Sequence, residues 1–281
     1  MSTTNPLEKT PSLFWEMTIL GCGTSTGVPL LFCECSVCKS VNPRNHRLRT
    51  SAWMKFDGRS ILIDTSTDLR QQALREKIPR IDAILFTHPH ADHVSGIDEI
   101  RSFNYVQKER IPAFGNHWTC SELRNRFPYL FSSTLPIEGG GIAGIDLHEF
   151  DAKCETLEVA GTNVTPIALN HGSQECIGYR FGDVAYLTDC SSISEEAQTR
   201  LQKLDLLVLD CLRLLPHSTH FSLAEALEMV ERLKPQRTVL THLGHDFDYE
   251  LWSAKLPAGV SLAYDGMKLS GNFPLPNGEA K

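Results

Sequence analysis

The sequence predicts a layered α/β fold in which crossover helices pack outside β-sheets. Apolar segments of strand length recur along the 281 residues, with turn residues between them and amphipathic helical segments between several of them. This mixture is typical of sheets covered by helices. The eight predicted strands are MTIL at 17, SILID at 60, IDAILFT at 81, VTPIALN at 164, VAYLTD at 184, LDLLVLD at 204, RTVLTH at 237 and VSLAYDG at 260.

Four further segments have the 3.6-residue periodicity of helices. They are TDLRQQALRE at 67, VSGIDEIRSFNYV at 94, SEEAQTRLQKL at 194 and SLAEALEMVERL at 222. In the last of these, Ser222 and Glu225 have the spacing of a capping box, which marks the start of the helix. We predict one domain over residues 17–271 with tails at 1–16 and 272–281, and a glycine-rich insertion or lid at 132–145.

Composition and charge argue against several classes of protein. A hydrophobic fraction of 41% with 22% charged residues is ordinary for a chain with a buried core. The sequence contains no apolar run of the roughly 18 residues that span a membrane and no signal-peptide pattern, which predicts a cytoplasmic location. With a net charge of −7 the surface repels polyanions, so extended nucleic acid is not an expected partner. The one basic cluster, Arg44, Arg47 and Arg49, is interpreted as a solvated loop.

The segment FTHPHADHVSG carries three histidines and an aspartate directly behind an apolar run. Polar side chains crowded at a strand end need partners, so a bound ion is expected there. His88 and His90 lie two residues apart in an extended segment, point the same way and are predicted to bind one cation. Asp92 and His93 turn into the next helix and are predicted to reach a second cation. A histidine-rich surface loop is the alternative, which the strand-loop-helix context disfavours.

The cysteines predict a further metal site. Cys33, Cys35 and Cys38 fall within LFCECSVCKS, whereas the other six cysteines are isolated, which is a poor disulfide framework. Three thiolates need one histidine to complete a tetrahedral zinc shell, and His245 is the candidate. A closed shell of this kind predicts a structural zinc ion. An unligated, reduced cysteine loop is the alternative.

The segment THPHADHVSGID resembles the HxHxDH signature of the metallo-β-lactamase superfamily, and later strand ends carry polar residues in that family's chain order. The resemblance implies an αββα sandwich, in which two mixed sheets pack face to face with helices outside. It implies two divalent ions, zinc or manganese, at one site. The implied ligands are His88, His90 and His171 for the first ion and Asp92, His93 and His242 for the second, with Asp189 bridging both.

Further motifs narrow this resemblance. The cysteine loop after GCGTSTGVP, the segment STHFSL and the ending THLGHDFDYELWSAKLPAGVSLAYDGMKL together resemble phosphodiesterases of phosphonate degradation that open 5-phosphoribosyl 1,2-cyclic phosphate. The resemblance covers about residues 17–270 and implies hydrolysis of a small cyclic phosphodiester by a hydroxide bound between two metal ions, in a homodimer. It implies that Asp64 holds a ligand histidine and that His220 is a general acid or phosphate donor, and we expect Asp92 to orient the hydroxide.

Two other functions remain open. An RNA-processing endonuclease of the same superfamily would share the core motifs, although the acidity of the chain opposes it. A non-catalytic metal-binding accessory protein of cofactor biosynthesis would be expected to lack part of the HxHxDH motif, which is intact here. The alternative role for His220 is that of a helix-start residue that caps SLAEALEM, and Asp210 has no assigned role. The isolated histidines are expected at the surface or in hydrogen bonds rather than as ligands: His46, His117, His148 and His217.

Overall fold

The structure, a computed structural model, describes residues 12–132 and 141–274. Within them, two seven-stranded mixed sheets pack face to face, which confirms the predicted α/β sandwich. In chain order the strands are β1 Ser12–Gly21, β2 Ser51–Phe56, β3 Arg59–Ile63, β4 Ala83–Leu85, β5 Ile111–Asn116, β6 Ile145–Phe150, β7 Leu157–Val159, β8 Thr162–His171, β9 Gln174–Phe181, β10 Val184–Leu187, β11 Leu206–Asp210, β12 Arg237–Thr241, β13 Val260–Leu262 and β14 Met267–Pro274.

The two sheets repeat one arrangement of strands. The first has the order β14-β1-β2-β3-β4-β5-β6, and the second has the order β7-β8-β9-β10-β11-β12-β13. In each sheet the first three pairings along this order are antiparallel and the last three are parallel. Loops at the carboxyl ends of parallel strands are the usual place for functional groups on such a scaffold.

Helices cover the outer face of each sheet. Apolar residues of both sheets form the central core. Each sheet also has one further apolar cluster between its outer face and its helices. Among the described residues, no helix has both the length and the apolar character needed to cross a membrane. The helices are α1 Leu69–Glu76, α2 Ala91–Val94, α3 Ile100–Gln107, α4 His117–Arg126, α5 Pro128–Phe131, α6 Glu195–Thr199, α7 Leu223–Leu233 and α8 Tyr249–Ser253, and Pro43–Asn45 and Ile97–Glu99 form 3-10 turns.

All eight predicted strands are present, and the described residues contain six more: β2, β5, β6, β7, β9 and β14. Several of these six lack a continuous apolar run; β6, for example, has mostly half-buried or exposed side chains. The four predicted helices also occur, but SEEAQTRLQKL is helical only over Glu195–Thr199. The capping box of α7 is confirmed, because Ser222 and Glu225 each accept from the other's backbone amide.

The ends of the predicted domain lie inside a pair of strands. β1 starts five residues before the predicted boundary at 17 and β14 continues three residues beyond 271, because the two strands pair antiparallel from Ser12 to Ile19. The sequence of either end by itself does not reveal that the two ends pair with each other. Most of the predicted insertion, residues 133–140, lies outside the described residues, and β6 begins at Ile145.

Candidate metal centre

The first of two ligand groups consists of three histidines. His88 follows β4, His90 precedes α2 and His171 ends β8. Nε2 of His88 lies 2.9 Å from Nδ1 of His90, and Nε2 of His171 lies 3.3 Å from the same Nδ1. Two nitrogens bound to one ion at 2.0–2.1 Å on a tetrahedron lie about 3.3 Å apart. The three side chains therefore have the spacing of ligands around one cation, and His90 is exposed to solvent.

The second group consists of Asp92, His93 and His242. Asp92 and His93 lie in the single turn of α2, and His242 directly follows β12. Oδ2 of Asp92 lies 3.2 Å from Nε2 of His93 and 3.8 Å from Nε2 of His242. These separations also suit ligands that share one cation. All three side chains are buried, in contrast to His90.

Asp189 lies between the two groups. Its Oδ1 is 3.7 Å from Nε2 of His88 and 3.3 Å from Nε2 of His242, and its Oδ2 is 3.3 Å from Nε2 of His93. Its φ of 54° is in the left-handed region, which aspartate and asparagine adopt more readily than most residues. The amide of Asp189 donates to Oδ1 of Asp210 at 3.0 Å, which holds this conformation. The carboxylate would therefore be within reach of cations held by either group.

Buried polar atoms test whether these residues fit a pair of metal ions. Nε2 of His93 and both ring nitrogens of His242 are buried and make no hydrogen bond within the described residues. Buried polar atoms normally have partners, and a metal ion would supply them. Four buried carboxylates surround the same place, and their ion pairs in the described part of the chain are all with histidines. Two divalent cations would balance the four negative charges of Asp64, Asp92, Asp189 and Asp210, so the donor set fits.

The acidity of the ligands follows from burial and from these charges. Burial opposes protonation of His93, but the surrounding carboxylates outweigh it and raise the pKa of His93 well above its usual value. Burial and the neighbouring His93 hold the pKa of His88 well below its usual value. Partial desolvation and the neighbouring His171 lower the pKa of His90, although its side chain reaches solvent, and burial lowers the pKa of His171. The first group thus presents neutral imidazoles, the form that binds metal, and the second group attracts positive charge.

Residues behind the ligands fix their orientation. Oδ2 of Asp64 lies 2.7 Å from Nδ1 of His93, and Thr87 donates its amide and its hydroxyl to the Asp64 carboxylate, each at 2.8 Å. Nδ1 of His171 lies 2.8 Å from the carbonyl oxygen of Thr219. Contacts of this kind set the ring orientation and leave Nε2 free to bind a metal. Asp64 therefore lies against His93, a predicted ligand.

His220 lies at the centre beside both groups. Its Nδ1 is 3.2 Å from Oδ1 of Asp210, its Nε2 is 3.9 Å from Oδ1 of Asp189, and its ring stacks on His242 with centroids 4.6 Å apart. Burial opposes protonation, but the buried Asp210 carboxylate outweighs it and raises the pKa of His220. Ser222 rather than His220 caps α7. Asp210, which the sequence analysis leaves without a role, therefore orients His220.

The other predicted histidines differ in their positions. His46, His117 and His148 are exposed, as expected. His217 accepts the amide of Thr219, which agrees with the expected hydrogen bond, and its ring lies 5.4 Å from the ring of His220, so it borders the centre. The sequence analysis also missed Trp118, whose ring lies 5.9 Å from that of His90. Trp118 belongs to no motif and follows β5, a strand that the sequence did not predict, so no signal in the sequence indicates it.

The predicted zinc ligands also meet in one cluster. Nδ1 of His245 lies 3.2 Å, 3.7 Å and 3.5 Å from the sulfur atoms of Cys33, Cys35 and Cys38. A nitrogen and a sulfur bound to zinc on a tetrahedron lie about 3.6 Å apart. The amide of Cys38 donates to the Cys35 sulfur and lowers the pKa of Cys35 to about 7, which favours the thiolate. The structure thus brings the four residues together with the spacing of a closed zinc shell.

The interpretation of the basic cluster as a solvated loop is wrong for Arg47. Its side chain is buried, and its guanidinium donates to the carbonyl oxygens of Gly244 at 3.1 Å and Phe247 at 2.5 Å. Arg47 therefore holds the loop that carries His245. Arg49 forms an ion pair with Asp68 at 3.1 Å. The sequence suggests that this charge faces water, whereas backbone carbonyls nearly 200 residues away along the chain accept its hydrogen bonds.

The ligand groups fall in a region that matches a known family. Residues 59–243 match the sequence profile of the beta-lactamase superfamily domain. This region covers well over half of the chain and contains both ligand groups. The chain belongs to the beta-lactamase superfamily. The donor set and the fold of this superfamily together support a hydrolase that depends on divalent metal ions.

Individual members of the superfamily show different degrees of similarity. A solved structure described as a new diphosphatase from the PhnP family is 41% identical, with a TM-score of 0.86, over 94% of this chain and 100% of that chain. An octanoyltransferase of Porphyromonas gingivalis (strain ATCC BAA-308 / W83) is 34% identical over 258 residues, which are 89% of this chain. The chain spans 50% of the length of that protein. Zinc-bound PqqB from Methylobacterium extorquens, 20% identical over 90% of this chain and 99% of that chain with a TM-score of 0.72, shares the fold.

Proposed function

We propose that this beta-lactamase superfamily member is a phosphodiesterase that hydrolyses a small cyclic phosphate, such as 5-phosphoribosyl 1,2-cyclic phosphate. The observation that carries the proposal is Asp189, whose Oδ1 lies 3.7 Å from Nε2 of His88 in the first group and 3.3 Å from Nε2 of His242 in the second. Nε2 of His220 lies 3.9 Å from the same oxygen. A paired site with an additional buried histidine suits attack at phosphorus followed by departure of an alkoxide. The similarity to a PhnP-family diphosphatase also supports chemistry at phosphorus.

Each residue of the centre has a separate role in this reaction. When bound, two divalent ions, zinc or manganese, would lower the pKa of a water molecule and neutralise charge on the phosphoryl oxygens. Asp92, in the second ligand group, is placed to orient the attacking water. His220, whose Nδ1 is held by Asp210, has its Nε2 directed toward Asp189 and can donate a proton to the leaving oxygen. The cysteine cluster would hold a structural zinc ion.

The proposal includes the setting in which the enzyme works. All nine cysteines are unpaired, which suits the reducing cytoplasm. We propose a homodimer that acts on a small molecule, because a net charge of −7 opposes binding to an extended nucleic acid. An RNA-processing endonuclease is disfavoured for the same reason. An accessory protein without catalysis would need no positioned Asp210–His220 pair behind the ligands.

A diphosphate is the second candidate substrate, and the PhnP-family diphosphatase favours it. Hydrolysis of a diphosphate also needs an activated water and neutralised phosphoryl oxygens, so the same two ligand groups serve both reactions. The leaving group differs. A departing phosphate needs protonation less than a departing alkoxide does, so His220 should matter less for a diphosphate.

Phosphorus NMR of the protein loaded with manganese or zinc tests the proposal. The substrates are 5-phosphoribosyl 1,2-cyclic phosphate, a 2′,3′-cyclic nucleotide, a linear diester and a nucleoside diphosphate sugar, with Asp92→Ala as the control. Fast opening of a cyclic phosphate that the variant loses supports the phosphodiesterase. Preference for the diphosphate would select the second candidate. Turnover of none of them would leave the accessory protein.

A further inference from the structure

A cleft of about 560 Å³ opens beside the candidate metal centre. Asn116 and Phe150, which end β5 and β6 and pair with each other, lie on its wall. Trp118 forms a wall that the cleft shares with the centre, because its ring lies 5.9 Å from the ring of His90 and 6.4 Å from that of His88. A substrate held at the first ligand group would therefore extend along the indole into this cleft.

The cleft lining offers the aromatic residues Trp118 and Phe150 and several hydrogen-bond acceptors. The amide of buried Asn116 donates to Oε1 of Glu175 at 3.1 Å, which fixes this carboxylate on the cleft wall. Among the described residues, no group donates a hydrogen bond to the other oxygen, Oε2 of Glu175. Glu149 is paired with His117 at 2.8 Å. The described lining contains neither lysine nor arginine.

These properties decide which part of a substrate the cleft can accept. Carboxylates and an absence of lining cations disfavour a phosphate, so the reacting phosphodiester remains at the ligand groups. A cationic group is best held by several aromatic faces around it, whereas Trp118 is the aromatic lining residue placed against the centre. Two of the three lining carboxylates already have partners, Glu149 with His117 and Asp151 with the amide of Lys153. An uncharged ring with hydroxyl groups suits both features, because its face can pack on Trp118 and a hydroxyl can donate to Glu175.

We infer that this cleft is the subsite for the uncharged, hydroxylated ring of the substrate, with Trp118 against the ring and Glu175 accepting a ring hydroxyl. The inference deepens the proposed function and rests on it. Any second phosphate of the substrate, such as the 5-phosphate of a ribosyl cyclic phosphate, then extends away from the Glu175 wall. Trp118 and Glu175 thereby determine specificity, and neither belongs to the two ligand groups.

Steady-state kinetics with two substrates test the role of Glu175. 5-Phosphoribosyl 1,2-cyclic phosphate carries ring hydroxyls, whereas bis(4-nitrophenyl) phosphate has none. Glu175→Gln should raise KM for the first about 10-fold, because Asn116 retains the one remaining oxygen and the NH2 that faces the ring hydroxyl cannot accept. It should change KM for the second less than about two-fold. Glu158→Gln, an exposed glutamate on β7 outside the cleft, should change neither. An equal effect of Glu175→Gln on both substrates would overturn the inference.

Tryptophan fluorescence provides a readout that does not depend on turnover. Ribose 5-phosphate should change the emission of the wild type and of Trp252→Phe, in which a distant tryptophan of α8 is replaced, but not of Trp118→Phe. Orthophosphate should bind without changing the emission of any of them. A ribose 5-phosphate response that persists in Trp118→Phe would contradict the inference. If no phosphodiester is hydrolysed, the proposed function fails while this titration still decides whether the cleft binds a sugar ring.

Discussion

Oδ2 of Asp64 lies 2.7 Å from Nδ1 of His93, and both side chains are fully buried. Burial alone raises the pKa of a carboxyl such as Asp64, and the contact with His93 opposes that rise. Because Asp64 holds Nδ1 of His93, the other ring nitrogen, Nε2, is the atom left to bind a cation. That nitrogen faces Asp92 and Asp189, so Asp64 orients a ligand at the most acidic part of the centre.

We predict that Asp64→Asn weakens metal binding at the second ligand group. Asparagine tolerates the left-handed φ of 62° at this position, but its amide would donate to Nδ1 of His93 and move the ring proton to Nε2. Metal affinity should fall about 10- to 100-fold, as for other residues that support a ligand. Competition with a chromogenic chelator measures this, and circular dichroism checks that the variant folds. Unchanged affinity would show that His93 is not a ligand.

Asp189→Asn should abolish turnover and remove at least one metal ion. Asparagine keeps the left-handed φ of 54° and the shape of the side chain but removes the charge shared by the two groups. Elemental analysis of metal per chain is the measurement, together with activity on the best substrate found. Asp57→Asn, at an exposed turn with a φ of 48°, is the matched control. Full activity of Asp189→Asn would rule out a two-metal mechanism.

Cys35→Ser should affect the structural site and spare the catalytic one. Loss of one thiolate opens the predicted zinc shell, so zinc content should fall by one ion per chain while the metals of the histidine groups remain. Because the loop that carries His245 is then untied, the midpoint of thermal unfolding should fall by about 5–10 °C. Cys154→Ser, which lies outside the cluster, should change neither quantity. Loss of the catalytic metals first would contradict the assignment.

The carboxyl of Asp265, which lies away from both metal sites, is expected to make the stability of the protein depend on pH. It accepts the amides of Leu48 at 2.8 Å and Cys22 at 3.1 Å, and burial raises its pKa to about 6. Since this value lies above the unfolded value of about 3.9, its contribution to the free energy of unfolding is full below pH of about 4 and lost as the pH rises through about 6.

Asp265→Asn removes this titration. The free energy of unfolding of the variant relative to the wild type should therefore increase by about 2–3 kcal/mol between pH 4 and pH 7. Urea unfolding at several pH values measures the difference, in which effects common to both proteins cancel. A difference that stays constant with pH would show that Asp265 is ionised throughout.

The sequence predicts those parts of the fold and site that depend on neighbouring residues. Continuous apolar runs indicate strands such as β11, and the six-residue span from His88 to His93 indicates two cations without further information. His171, Asp189 and His242 have no such local pattern. Only their chain order within a family resemblance assigned them, because strand pairing brings them together across about 70 to 150 residues.

Tertiary contacts explain what the sequence did not predict. Strand β9 contains a glycine and polar residues, yet its pairing with β8 over Thr165 to His171 places it inside the sheet. Arg47 is buried because distant carbonyls accept from it. Asp210 and Trp118 lie at strand ends like many unimportant residues, and only their distances to His220 and His90 reveal their roles. Burial and distance are set by the whole fold rather than by a segment.

His220→Ala should reduce kcat according to the leaving group. If Nε2 of His220 protonates the departing oxygen, loss of the ring should lower kcat about 100- to 1,000-fold for a cyclic phosphate, whose alkoxide is a poor leaving group. For bis(4-nitrophenyl) phosphate, whose leaving group needs no proton, the loss should stay below about 10-fold. Metal content should not change, because His220 lies outside both ligand groups, and His217→Ala, one ring further out, is the control. Equal losses for both substrates would assign His220 to binding the phosphoryl oxygens instead, since that contact is the same whichever group departs.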